Sequence, residues 1–187
     1  MTNGVSAVEK QGSPSGGPIL IGLGANLPSP EHGPPVATLE AALAALAGRG
    51  LRIRARSRWW ESAPVPVSDQ PWYVNGVVEI ATGFAPEALL AVLHEVEAGF
   101  GRLRSVPNAP RILDLDLLAY GSLVREGPEP PLLPHPRMAE RAFVLHPLAE
   151  IRPGWRHPAS GLGLPQLIAR LPSDQIVRPL PHSAPSG

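Results

Sequence analysis

The sequence contains no cysteine, which excludes disulfides, zinc–thiolate sites and a thiol nucleophile. It is almost without lysine: of its 16 basic residues all but Lys10 are arginine. Phosphate binding beyond the N-terminal region therefore falls to guanidinium groups, which grip phosphate oxygens bidentately. No run approaches the roughly 20 apolar residues of a membrane span, and the opening MTNGVSAVEKQGSPSGG has no apolar stretch of the secretory kind. Charge excess is missing too, with 16 basic against 16 acidic side chains. A general binder of nucleic acid or acidic membrane would carry a positive surplus, so neither partner is expected. A cytoplasmic protein is the default expectation.

The chain has 187 residues, 43% of them hydrophobic, enough for one domain with a real core. Residues 1–17 and 173–187 are rich in Gly, Ser and Pro and are expected to be a disordered tail and a flexible tail. Between them, PILIGLGANL (18–27) reads as a strand ending in a turn. Leu39, Ala42, Leu43 and Leu46 have helical spacing, stopped by Gly48 or Gly50. Residues 51–62 alternate, with Leu51, Ile53 and Ala55 on one face and Arg52, Arg54, Arg56 and Arg58 on the other, which predicts a half-exposed strand. Residues 72–82 predict another strand. A second helix follows, with Pro86 in its first turn and Leu89, Leu90, Leu93 and Val96 as its apolar stripe. RILDLDLLAY predicts the last core strand. The order strand, helix, strand, strand, helix, strand is the split βαβ pattern, an α+β ferredoxin-like βαββαβ core with extra C-terminal strand and helix elements.

The last strand carries an anomaly. Asp114 and Asp116 interrupt a leucine-rich run, and two carboxylates that close repel each other. Residues two apart share a face of a strand, so the aspartates project together and Leu113, Leu115 and Leu117 project oppositely. Carboxylates about 6.6–6.8 Å apart along a strand suit one hard cation or two side by side. Mg²⁺, which takes one or two carboxylates plus water and phosphate, fits best. A solvated polar face on an edge strand accounts for a lone D-x-D equally well. Arg102, Arg104 and Arg111 nearby favour a metal-bound polyphosphate, although surface ion pairing would also explain them one by one.

Tyr73 and Asn75 also share a strand face, and a flat ring beside an amide could grip a planar heterocycle. A structural tyrosine and a turn-capping asparagine is the competing explanation. GLGAN is neither a dinucleotide loop nor a P-loop and offers one polar residue, Asn26. His135 and His146 sit in Pro-rich surroundings where a histidine is more often structural. Two rival functions remain open at this level. One is a non-catalytic binding module, with Arg52–Arg58 and Trp59–Trp60 faintly suggesting RNA. The other is a different metal-dependent nucleotidyl enzyme built on D-x-D.

Taken in order, IGLGANL, DQPWYVNGVVEIAT, VEAGFGRLR, PRILDLDLLAYG and LPHPRMAERAFVLHPLAEI make residues 18–155 resemble the 6-hydroxymethyl-7,8-dihydropterin pyrophosphokinase family. These enzymes act one step before dihydropteroate synthase in folate synthesis. The resemblance implies Mg²⁺-dependent transfer of pyrophosphate from the co-substrate ATP to the pterin alcohol, with release of AMP. It implies that 18–172 is a single pyrophosphokinase domain, expected to be a monomer. Carried over by motif, Asp114 and Asp116 bind two Mg²⁺ ions. Tyr73 and Phe143 sandwich the pterin and Asn75 bonds its polar edge. Arg102 and Arg111 contact the ATP phosphates. Glu97 and His135 lie on the ATP side, Arg104 and Arg141 at further nucleotide-side positions, and Asn26 near the pterin–metal junction. Loops 24–35 and 102–110 correspond to the family's mobile loops. Three departures stand out: Asn108-Ala109 where some members carry tryptophan in a longer loop, Trp60 at a tyrosine-like position, and PHPR in place of a His-Tyr pair.

Overall fold

The computed structural model describes residues 16–101 and 111–181. The sheet is six-stranded. Its core comprises β1 (Ile19–Ala25), β2 (Arg52–Arg56), β3 (Trp60–Ser62), β4 (Tyr73–Ala81) and β5 (Asp114–Tyr120). Helix α1 (Pro35–Gly48) joins β1 to β2, and α2 (Pro86–Gly99) joins β4 to β5. The C-terminal part adds a 3₁₀ turn (Met138–Glu140), α3 (Ala142–Ile151), α4 (Leu164–Ile168) and β6 (Val177–Pro179). The spatial order is β5-β1-β4-β3-β6, with β2 also on β4, and every pairing is antiparallel. The result is a mixed α+β architecture.

The sheet separates two cores. Ile19, Ile21, Leu23, Leu115 and Leu117 face α1 and α2, whose buried stripes include Leu39, Leu43 and Leu46 on one helix and Leu89, Leu93 and Val96 on the other. Leu20, Val77 and Leu118 face the C-terminal part through Met138 of the 3₁₀ turn, Leu145 and Leu148 of α3, Trp155, and Leu167 of α4. Period-2 alternation in β1, β4 and β5 thus serves both layers. A bulge lets Leu20 pair with Ala119 while Ile21 pairs with Leu117, so Leu118 is the extra residue. It turns into the second core, and Tyr120 returns to the first.

The strand expected over 51–62 is two strands. The break is local: the Ser57 hydroxyl accepts the Val77 N–H at 3.0 Å, standing in for a ladder bond, and the chain restarts at Trp60. Trp59, inside the break, folds over Gly76. A Cβ on Gly76 would lie 2.5 Å from the indole. Residues 177–179, expected in the flexible tail, pair with β3, with Val177 opposite Ser62. None of the helices among the described residues is long and apolar enough to cross a membrane.

Gly76→Ala is therefore expected to cost about 1–3 kcal/mol by overpacking the indole. Denaturant unfolding of the variant against the parent chain checks this. An unchanged midpoint would mean that the indole is free to move aside.

Candidate active site

β5 is an edge strand, bonded to β1 on one side. Asp116 pairs with Gly22 and Asp114 with Gly24, and Gly24 in turn pairs with Asn75 of β4. The two acids and Asn75 therefore stand on one sheet face with a side-chain-free strand between them. A Cβ at Gly24 would come 3.1 Å from Asn75 Oδ1. The three leucines beside the acids are buried on the opposite face, at 1–4% exposure.

Above this glycine floor opens a cavity of about 1070 Å³. Tyr73, Asn75, Asp114 and Asp116 line it from the sheet, Arg111 from the lead-in to β5, and Arg141 and Phe143 from the start of α3. Seven of the residues expected from the sequence thus converge. The Ser62 hydroxyl accepts the Asn75 amide at 2.8 Å and fixes that side chain. Gln70 Oε1 accepts from the Tyr73 hydroxyl at 3.4 Å. The Arg141 guanidinium lies 5.5 Å from the centre of the Phe143 ring, within cation–π range.

Each acid has a cation. Arg111 Nη1 is 2.7 Å from Asp114 Oδ2, and Arg141 Nη1 is 3.1 Å from Asp116 Oδ2. His135 Nε2 is 3.9 Å from Asp116 Oδ1. The histidine is carried there by residues 133–135, whose His135 N–H bonds the Leu118 carbonyl on the open edge of β5. Burial first, then the neighbouring Asp114, pushes the Asp116 carboxyl above its ordinary range, against the pull of His135, Arg141 and Arg111. Burial likewise holds the His135 imidazole below its usual range, although Asp116 draws it upward.

The donor set fits a hard divalent cation. Among the described residues no group of three or more His, Asp or Glu side chains gathers to cage a metal. Two carboxylates in an open cavity suit an ion that keeps water and substrate phosphate in its shell, as Mg²⁺ does.

Two further expected site residues are engaged with backbone amides. Asn26 is 1% exposed, and Asn26 Oδ1 accepts the Arg111 N–H at 2.8 Å. Its amide donates to Gln70 Oε1 at 3.3 Å and to the Pro71 carbonyl at 3.2 Å. It clasps the strand end, the Arg111 backbone and the Gln70–Pro71 loop together. Glu97, also 1% exposed, accepts the Leu115 N–H at 2.7 Å. It packs on the edge of β5 and is not a lining residue of the cavity. Arg102, Arg104 and the loop 102–110 lie outside the described residues.

Sequence reading missed the glycine floor, although G-x-G and D-x-D share the same period. It also missed Arg137, and the C-terminal wall formed by His157, Ser160, Arg170 and Gln175. The wall has no local signal, since tertiary packing alone brings it to the cavity.

The family model for 7,8-dihydro-6-hydroxymethylpterin-pyrophosphokinase matches residues 20–153. The 2-amino-4-hydroxy-6-hydroxymethyldihydropteridine pyrophosphokinase of Synechocystis is 40% identical over 153 residues, covering 81% of this chain and 75% of the relative. That of Pseudomonas aeruginosa is 38% identical over 161 residues, covering 86% and 95%. Among solved structures, the Plasmodium falciparum HPPK-DHPS chain superimposes with a TM-score of 0.64 at 12% identity. That match covers 82% of this chain but 43% of the longer one, so it speaks for the fold alone.

The raised carboxyl of Asp116 makes a stability prediction. The folded chain holds that proton more tightly than the unfolded chain does. Ionisation therefore costs stability progressively as pH rises from about 3.9, the unfolded value, through the folded value. Asp116→Asn should raise the melting temperature of the metal-free protein at pH 7 by about 2–4 °C per kcal/mol relieved. The advantage should close below about pH 4. Calorimetry across pH checks this, and a variant less stable than the parent at pH 7 would contradict it.

Proposed function

This chain belongs to the 7,8-dihydro-6-hydroxymethylpterin-pyrophosphokinase family, and from that premise we propose which residues carry out its ATP-dependent pyrophosphoryl transfer in folate biosynthesis. The acceptor is the hydroxymethyl dihydropterin, and AMP is the second product. The observation that carries the reading is the acid pair on a glycine floor, in one cavity with Tyr73, Asn75 and Phe143.

Asp114 and Asp116 would hold two Mg²⁺ ions, which supply neutralisation of the triphosphate and a lowered pKa for the attacking alcohol. The rest falls to the chain. Tyr73 and Phe143 flank the pterin, and Asn75, its amide oriented by Ser62, bonds the ring's polar edge. Arg111 and Arg141 already lie beside the carboxylates and are placed to bind phosphate oxygens bidentately. Arg102 and Arg104 belong to the same nucleotide side, with His135. Asn26 and Glu97 act at one remove, through Arg111 and the Leu115 backbone. The pterin alcohol oxygen bonds to the β-phosphorus, the bond from that phosphorus to the α,β-bridging oxygen breaks, and AMP departs with the oxygen. The alcohol proton passes to solvent water as the new bond forms. Such a transfer asks mainly for in-line positioning and charge neutralisation.

The antiparallel sheet order supports the ferredoxin-like reading of the βαββαβ core. We place the enzyme in the cytoplasm as a monomeric single domain over 18–172, to which β6 adds an edge strand.

AMP release is expected when the chain is given ATP, Mg²⁺ and the hydroxymethyl dihydropterin, and none when Mg²⁺ is chelated. No AMP under the full mixture would overturn the reading. Asp114→Asn should lower kcat by roughly 10³-fold or more with an unchanged far-UV spectrum. Turnover within about tenfold of the parent would remove Asp114 from the chemistry.

A further inference from the structure

We propose that Gln175 is a positioning residue for this reaction, acting through Arg141; the proposal rests on the function just given. Gln175 lies on the segment that leads into β6, more than thirty residues after the start of α3. Its Oε1 accepts the Ala142 N–H at 2.8 Å, and its Nε2 donates to the Glu140 carbonyl at 2.7 Å. These are the peptide groups on either side of Arg141.

Arg141 is the N-cap of α3 and makes no side-chain cap of its own. Left alone, the helix would present an unsatisfied amide at Ala142. Gln175 supplies that bond from a distant part of the chain and simultaneously holds the preceding carbonyl. Arg141's own groups are engaged as well: its N–H bonds Met138, and its carbonyl accepts from Val144 and Leu145. The Arg141 backbone is thus fixed on both flanks. Its long side chain then starts from a set point when it reaches Asp116 at 3.1 Å beside the Phe143 ring.

Gln175 is anchored in turn. The Ala63 N–H bonds the Ile176 carbonyl at 3.1 Å, and Val177 pairs with Ser62, the residue that orients Asn75. One short C-terminal segment therefore braces the strand that orients Asn75 and the nucleotide-side arginine together. It also lines the cavity itself through Gln175. If capping were the whole role, loss of the side chain would lower the melting temperature by about 2–4 °C and leave turnover alone.

The test is a double-mutant cycle on the full chain, following AMP release below the melting temperature of every variant. Gln175→Met keeps the length and removes both bonds. It should lower kcat by about 10- to 100-fold and raise the KM for ATP. In an Arg141→Met background, the same change should alter kcat less than about twofold. Gln175→Ala, which removes both bonds by truncation, should lower kcat comparably, and it carries the cycle if Gln175→Met does not fold. An equal kcat loss in both backgrounds, or parental kcat and KM with only a lower melting temperature, would overturn the proposal. Activity in the parent chain with an additive cycle refutes the Gln175 role alone. A parent chain that releases no AMP refutes the functional reading beneath it.

Discussion

Two carboxylates held on one face of an edge strand set the terms for the rest of this molecule. Asp114 and Asp116 repel each other, and burial adds to the cost of ionising Asp116. Three elements converge to offset that cost: the lead-in to β5 brings Arg111, the 3₁₀–α3 junction brings Arg141, and the segment crossing the edge of β5 brings His135. The opposite face of β5 is a leucine core, so the strand cannot rotate the acids away without exposing Leu113, Leu115 and Leu117. Backbone packing thus enforces an electrostatic arrangement that side chains left free would avoid.

That arrangement suits the cation-binding role proposed for the pair. In the proposed reaction a divalent ion would take the carboxylates, and their guanidinium partners would be freed for phosphate oxygens. Gly22 and Gly24 leave room for this, because at these two positions β1 puts no side chain between the acids and Asn75. Ionising Asp116 carries a desolvation and repulsion cost that a neutral residue in its place would not incur. Sacrificing stability in this way is ordinary where a protein must bind charge.

Much of this was legible in the sequence because it depends on strand period alone. Period 2 puts Asp114 with Asp116, Tyr73 with Asn75, and the leucines behind them, and the structure keeps all three relations. What depends on pairing or on capping was not legible. The register that sets Gly22 and Gly24 against the acids exists only once β1 and β5 meet. Ser57 breaks a strand that alternates cleanly on paper. Asn26 and Glu97 also bond the Arg111 and Leu115 backbone amides, contacts that no local pattern announces. The C-terminal segment shows no pattern at all, and it reaches the cavity through β6 and Gln175.

The central claim is that the Asp114–Asp116 pair binds the divalent ions that present the nucleotide. Counting Mn²⁺ bound per chain by electron paramagnetic resonance, in the presence of a non-hydrolysable ATP analogue, tests it most directly. The account predicts about two protein-dependent Mn²⁺ ions in the parent chain and their loss when both aspartates are replaced by asparagine. Undiminished Mn²⁺ binding in that double variant would contradict it.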